Sequence, residues 1–228
     1  MDFFDTVETR RSTRRYTEKP VPESVMEKAF DAALKAPNSS NMQTWEFFWI
    51  RSPEKKRKVV DACLNQGAAK TAQELVVITS NRKNWKRSRK EMLKLIDDEK
   101  INKFAHPYYK KVMPLFYGFE YLAPFKWLLF NGLGQFKPTP RGPWTPKDID
   151  FICMKSAALA CENFMLAITA QGFDTCPMEG FDERRLKKAL NLSWHHRICM
   201  VISVGERDPK GIWGERIRFP REWTIKEV

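Results

Sequence analysis

Residues 37 to 50 read Pro37-Asn38-Ser39-Ser40-Asn41-Met42-Gln43-Thr44-Trp45-Glu46-Phe47-Phe48-Trp49-Ile50, a run of amides and hydroxyls that turns into a block of aromatics. Phe47 to Ile50 reads as a buried strand, since a short apolar run bounded by turn residues is how an interior strand looks in sequence. Upstream, Val25, Met26, Ala29, Phe30 and Ala33 recur at helical spacing behind Pro22-Glu23, so residues 22 to 35 read as an amphipathic helix that ends before Pro37. Downstream, Ser52-Pro53-Glu54 starts a second helix with a cap, a proline and an acid in the favoured order. Leu75-Val76-Val77-Ile78 is the next strand. Residues 150 to 170 form one long helix with little polar face, which reads as buried, and Gly172 stops it. Asp182 caps a short helix through Leu190, and Cys199 to Val204 reads as another buried strand. Helices and strands alternating in short segments point to an α/β or α+β layer fold.

Residues 81 to 150 interrupt this rhythm. They begin with a basic, helix-like stretch and continue with aromatics among Pro107, Pro114, Pro124, Pro138, Pro140, Pro143 and Pro146. We read one domain over residues 1 to 228, with this excursion inserted at about 81 to 150. The last 20 or so residues read as extended, and Trp213, Phe219 and Trp223 need an apolar place to pack, which a second chain could provide.

The 228 residues carry a formal charge of +12, of which residues 81 to 111 supply +7 through eleven Lys and Arg against four Asp and Glu. Such a balance favours anionic partners. A composition 43% hydrophobic and 30% charged excludes a disordered tail. The five cysteines, Cys63, Cys153, Cys161, Cys176 and Cys199, include no CxxC pair and several sit in apolar runs, as buried free thiols in a reducing compartment would. The N-terminus shows no secretory pattern and residues 121 to 134 are too interrupted to span a membrane, so a cytoplasmic protein is expected.

His106, His195 and His196 lack metal-ligand spacing, and no metal site is expected. His195-His196 reads as a polar turn before the strand at 199. Gly132-Leu133-Gly134 is half of a dinucleotide fingerprint, but Lys137 stands where the third glycine belongs. The basic stretch around Trp85 reads as a solvated face and not as a nucleic-acid site.

Four polar motifs remain. Arg10-Arg11-Ser12-Thr13-Arg14-Arg15 packs four arginines around two hydroxyls, a set suited to bidentate contacts with phosphate. Asn38, Ser39, Asn41 and Gln43 follow Pro37, and amide side chains both donate and accept, so they can read the edge of a heterocycle. Cys176-Pro177-Met178-Glu179-Gly180-Phe181-Asp182 offers a glycine where backbone N–H groups could approach a ligand. Glu215-Arg216-Ile217-Arg218 places two arginines on one side of an extended segment.

In this order the motifs resemble those of the nitroreductase family of FMN-dependent flavoproteins. Arg10, Arg11, Ser12 and Arg14 match its opening R-R-S-x-R. Residues 37 to 45 resemble its P-S-x-x-N-x-Q-P-W loop, with Asn38 and Thr44 departing from it. Pro177, Glu179, Gly180 and Phe181 match its P-x-E-G-F segment, and Arg216 and Arg218 its C-terminal basic pair. Asn65 lies near the family's ring-contacting asparagine, whereas the lysine that often follows falls on Ala68, with Lys70 two residues on. The resemblance covers residues 1 to about 80 and 150 to 228.

It implies an α+β nitroreductase-like fold, a mainly antiparallel central sheet flanked by helices, in an intertwined homodimer with an extended C-terminal arm. FMN would be held by Arg10, Arg11, Ser12, Arg14, Pro37, Asn38, Ser39, Asn41, Gln43, Asn65, Pro177, Met178, Glu179, Gly180, Arg216 and Arg218. No side chain is expected to act as a catalytic acid or base, because the flavin carries the chemistry. Electrons would pass from NADH or NADPH to a small aromatic or conjugated acceptor such as a nitroaromatic or quinone, in a ping-pong cycle, with the excursion covering the flavin face. A reductive dehalogenase, an enone reductase and a flavin-binding protein without turnover are the alternatives.

Overall fold

A computed structural model describes all 228 residues. The chain opens with α1 (Phe3–Thr9), which Asp2 caps by accepting from the Asp5 N–H. After an extended stretch, α2 (Glu23–Leu34) forms with Val25, Met26, Ala29 and Ala33 buried along one face, as the spacing predicts. The amide loop then feeds β1 (Trp45–Trp49). Helix α3 (Pro53–Ala62) begins with the Ser52 side chain accepting from the Lys55 N–H and Pro53 in the first turn. The short α4 (Gly67–Thr71) leads into β2 (Glu74–Asn81).

The excursion is helical. It contains α5 (Trp85–Asp97), α6 (Met113–Tyr117) and α7 (Ala123–Leu133), joined by single turns. The long α8 (Pro146–Ala170) follows, then β3 (Asp174–Met178), α9 (Glu183–Leu190), β4 (His196–Gly205) and a final turn of helix, α10 (Arg221–Thr224).

The four strands form one sheet in the order β1-β2-β4-β3, antiparallel throughout. Because side chains alternate across a pleated strand, Val76 and Ile78 enter the cluster under α2 and α8, while Leu75 and Val77 enter the one under α3 and α9. A third cluster joins Trp85, Met92, Tyr109, Met113 and Tyr117 of the excursion to Met42, Ile149 and Cys153. All five cysteines are free and buried.

Three expectations are corrected. The long helix starts at Pro146, ahead of 150, because Thr145 and Asp148 form a reciprocal capping box there. It is also not buried all round: Phe151 and Leu159 are exposed, since no element of the same chain covers that flank. Residues 174 to 178 form a strand that the sequence reading leaves unassigned. Pro177 disguises it, and it is tolerated because β3 lies at the sheet edge and pairs with β4 alone. The turn expected at His195-His196 is partly strand, with His196 Nε2 2.8 Å from Glu46 Oε2 across the sheet.

Candidate functional site

Arg10 to Arg14 run as an extended segment beside the edge strand β3. Ser12 bridges Thr175, and the Thr13 N–H donates to the Thr175 carbonyl at 3.0 Å. Thr13 is fully buried. Strand alternation therefore turns Arg10, Ser12 and Arg14 to the opposite side. The Arg14 N–H donates to Gly211 O at 2.8 Å, and its guanidinium lies 4.4 Å over the Trp213 ring while donating to Ser12 O.

The C-terminal segment returns to the same place. Arg10, Arg11, Ser12 and Arg14 line a pocket of about 190 Å³ together with Glu215, Arg216, Ile217 and Arg218. The two arginines of that return differ in their bonding. Arg216 donates to three carbonyls, of Val7, Glu8 and Arg10, and so ties the C-terminal segment to α1. Arg218 donates to the neighbouring Ile217 O. Five guanidiniums thus face one lining carboxylate, Glu215, and a more distant one, Glu162, 3.9 Å from Arg10. The charge reaches the sheet: burial raises the Cys176 thiol's pKa, and Arg14 and Arg10 pull it part of the way back.

β3 delivers Pro177 and Met178 to this end of the sheet, followed by Glu179 and Gly180. Neither the Glu179 nor the Gly180 N–H donates within the chain, which leaves two adjacent backbone donors free. The Gly180 carbonyl accepts from Gln66 Nε2 at 2.7 Å. Gln66 stands just before α4, where a Cβ on Gly67 would come 3.0 Å from Arg14 O, so this turn packs against the arginine segment. Asn65 is exposed in a left-handed conformation, φ 54°, and Lys70 is exposed at the end of α4.

The amide loop lies elsewhere in the chain. Gln43 N–H donates to Asn38 Oδ1 at 2.9 Å and Gln43 Nε2 to Asn41 Oδ1 at 3.1 Å, so the loop holds itself together. Ser40, Asn41 and Gln43 have φ of 56°, 53° and 43°. Positive φ in three non-glycine residues is costly, and such strain gathers at functional sites. The Ser39 N–H donates to Ser156 Oγ of α8. Tyr117 of α6 donates to Ser39 Oγ at 3.1 Å and the Tyr109 hydroxyl to Ser40 O, so the excursion rests on the loop. Burial pushes the Tyr117 hydroxyl up to about 12, which keeps it a donor at neutral pH. Asn41 and Gln43 line a separate groove of about 840 Å³ between α2, the open edge of β1 and α5.

One chain therefore gathers Arg10, Arg11, Ser12, Arg14, Arg216 and Arg218 around a single pocket, with the Gly180 segment joined to them through Gln66 and Gly67. It does not bring Asn41 and Gln43 there. Sequence reasoning missed Gln66, the Trp213 ring under Arg14, and Glu162. Only Trp213 gave a signal, as an aromatic just ahead of the arginine pair.

The family model described as the nitroreductase family matches residues 7–111 and 123–206. The protein DrgA of Synechocystis is 25% identical over 208 residues, covering 91% of this chain and 85% of DrgA. An NADH dehydrogenase of Thermus thermophilus is 24% identical over 212 residues, covering 93% of this chain and 90% of its own. A protein from Exiguobacterium sibiricum, solved in complex with FMN, superposes with a TM-score of 0.75 at 20% identity over 100% of this chain and 98% of that one, a likeness of fold.

Proposed function

The chain belongs to the nitroreductase family, and from that premise we propose that it is an FMN-dependent oxidoreductase that moves two electrons from NADH or NADPH to an electron-poor acceptor such as a nitroaromatic or quinone. The observation that carries this reading is the pocket in which five arginines and Ser12 face one carboxylate. An unbalanced cluster of that kind suits a phosphate of nearly two negative charges and leaves little reason for a neutral ligand.

Arg10 and Arg218 would meet the phosphate end, with Ser12 as a neutral donor. Arg216 is spent on three carbonyls and would act by fixing the C-terminal segment. Arg14, held between Trp213 and Ser12 O, supplies a fixed positive charge that favours a ring becoming anionic on reduction. The free N–H groups of Glu179 and Gly180 can receive a ring nitrogen. Bound FMN supplies the redox chemistry, hydride in from the nicotinamide and two electrons out to the second substrate in a ping-pong cycle. The protein supplies orientation, charge and exclusion of water, and we assign no side-chain acid or base.

The working unit we propose is a homodimer. Asn38, Ser39, Asn41 and Gln43 stand apart from the arginine pocket in one chain, so a second chain would have to complete each site. Three features support this: the exposed apolar flank of α8 with Phe151 and Leu159, the unpaired edge of β1, and a C-terminal segment whose Trp213, Ile217, Phe219 and Trp223 all face solvent. The excursion would then be a lid inserted in one domain, resting on the amide loop.

The visible spectrum of the purified protein tests the core of this reading. We expect a flavin spectrum near one FMN per chain, bleached by NADH or NADPH; a colourless protein that cannot be reconstituted with FMN refutes it. Slow bleaching by both donors would favour a flavin store over an enzyme. Arg10→Ala combined with Arg218→Ala should lower FMN retention, and undiminished retention would overturn the phosphate assignment.

A further inference from the structure

The turn that follows β3 is held from outside by a single side chain. The Phe181 N–H donates to Glu179 O at 3.1 Å and closes a three-residue turn over Gly180. The Asp182 N–H then donates to Ala62 O at 2.8 Å, at the end of α3, and the Asp182 carboxylate caps α9 by accepting from the Arg185 N–H. The carbonyl between these bonds, that of Gly180, accepts from Gln66 Nε2 at 2.7 Å. Of the N–H groups in this turn, those of Phe181 and Asp182 are thus engaged, and those of Glu179 and Gly180 are not.

A trans peptide carries its N–H and C=O on opposite sides, so holding the Glu179 carbonyl turns the Gly180 N–H away from it. Holding the Gly180 carbonyl fixes the peptide plane that comes next. The turn needs both anchors, because Gly180 has no Cβ and can rotate through conformations closed to other residues. Without Gln66, only the bond from Phe181 to Glu179 would define the turn itself.

Gln66 has a fixed backbone from which to act. Its N–H donates to Cys63 O at 3.2 Å, and its carbonyl accepts from Ala69 and Lys70, both at 3.0 Å. Leu64 and Asn65, just before it, hold φ of 57° and 54°, a strain that persists only where the surroundings impose it. Gly67, just after it, lies against Arg14 O. One neutral amide therefore links the arginine segment to the Gly180 turn. A lysine could grip the same carbonyl but would add a cation, and a glutamate would set oxygen against oxygen.

We propose that Gln66 is a positioning residue of the reaction. It holds the Gly180 turn so that the N–H groups of Glu179 and Gly180 stay aimed at the ring nitrogen to which NADH or NADPH delivers its hydride, leaving as NAD⁺ or NADP⁺. The inference rests on the oxidoreductase reading and adds to it a residue that acts through the turn. Donors held in place before the reaction are worth far more than donors that must first be ordered, so loosening the turn lowers the rate more than it lowers binding.

The test pairs two variants with two measurements at neutral pH. Gln66→Met keeps the length of the side chain and removes its donor, and Gln66→Glu turns an oxygen towards the Gly180 carbonyl. The first measurement needs no flavin: amide relaxation should give Gly180 an order parameter of about 0.85 in the wild type and below about 0.6 in both variants. Tm should fall by no more than about 4 °C, as for one lost hydrogen bond. The second measurement uses protein loaded with FMN. The limiting rate at which NADH bleaches the flavin should fall at least about ten-fold, while the NADH concentration giving half that rate and the FMN dissociation constant each stay within about three-fold. A Gly180 amide as rigid in the variants as in the wild type overturns the inference, as does an unchanged bleaching rate, and either result leaves the oxidoreductase reading standing. Equal losses in rate and in FMN affinity also overturn it, by making Gln66 a general support of the site. A wild type that takes up no FMN overturns the oxidoreductase reading, and the role of Gln66 in hydride transfer with it, even where the variants loosen Gly180.

Discussion

Asp150 is the residue whose loss should destabilise the fold most for the fewest atoms removed. It sits in the first turns of α8, 7% exposed, and receives Arg82 Nη1 on both oxygens at 3.0 and 3.1 Å and Arg197 Nε at 2.9 Å. Arg82 itself is 3% exposed. Its other carboxylate partner is Glu120, 3.5 Å away and shared with Lys83. In Asp150→Ala three cations would be left around one carboxylate, with Arg82 unable to reach water.

Breaking a buried ion pair by removing one partner costs about 3 to 5 kcal/mol, most of it the penalty for the charge left behind. Arg197 has 39% of its side chain exposed and can turn outward, so the lower end applies, about 3 kcal/mol. For a chain of this length that corresponds to a fall in Tm of roughly 6 to 12 °C. Thermal denaturation at fixed protein concentration reads it directly. Lys83→Ala is the control, because its partly exposed pair with Glu120 should be worth under about 1 kcal/mol. A Tm for Asp150→Ala within about 2 °C of wild type would show that Arg82 finds solvent or another anion, and the argument from burial would fail.

Two further outcomes follow from titrating groups. The Asp148 carboxylate accepts the Thr145 and Trp144 N–H groups at 2.8 and 3.0 Å, and these backbone bonds hold its pKa below the ordinary 3.8. A carboxyl depressed by folding stabilises above its unfolded pKa and loses that contribution as pH falls through the folded value. Tm should therefore drop more steeply between about pH 4 and pH 2 in wild type than in Asp148→Asn, and parallel profiles would refute the capping role. Burial pushes the Cys63 thiol to about 12 and the Cys153 thiol to about 11, and all five cysteines are enclosed. Ellman's reagent at neutral pH should find no fast-reacting thiol in the folded protein and five after denaturation, so a rapidly reacting native cysteine would contradict the burial.

What the sequence reveals here depends on how local the physics is. Ser52-Pro53-Glu54 and Asp182 announce their helices because a cap and the helix it starts are neighbours in the chain, and both helices begin where expected. Val76 and Ile78 declare a buried strand, yet nothing in the order of residues states that β4 lies beside β2 and β3 beyond it. The strand at Asp174–Met178 escaped because Pro177 is acceptable only at a sheet edge, and which strand is at the edge is decided by the other three. The long helix looked buried on every side because apolar composition does not distinguish a surface that the chain covers from one that it leaves exposed. Its exposed flank at Phe151 and Leu159 becomes evident only once α2 and the sheet occupy the other side.

The arginines sharpen the same point at the site. Arg216 and Arg218 are two residues apart on an extended segment and in sequence look like one device for holding an anion. In the fold, Arg216 reaches the carbonyls of Val7, Glu8 and Arg10, acceptors more than 200 positions away, and Arg218 meets only the adjacent Ile217 carbonyl. A guanidinium with three carbonyl partners has few donors left for a ligand, whereas one with a single partner keeps most of its five. Replacing Arg218 should therefore weaken retention of a phosphate-bearing ligand while leaving Tm nearly unchanged. Replacing Arg216 should lower Tm and loosen the C-terminal segment to proteolysis, with ligand loss as a consequence. If both substitutions act alike on stability and on ligand, the pair works as one unit after all, and the division drawn from the hydrogen bonds is wrong.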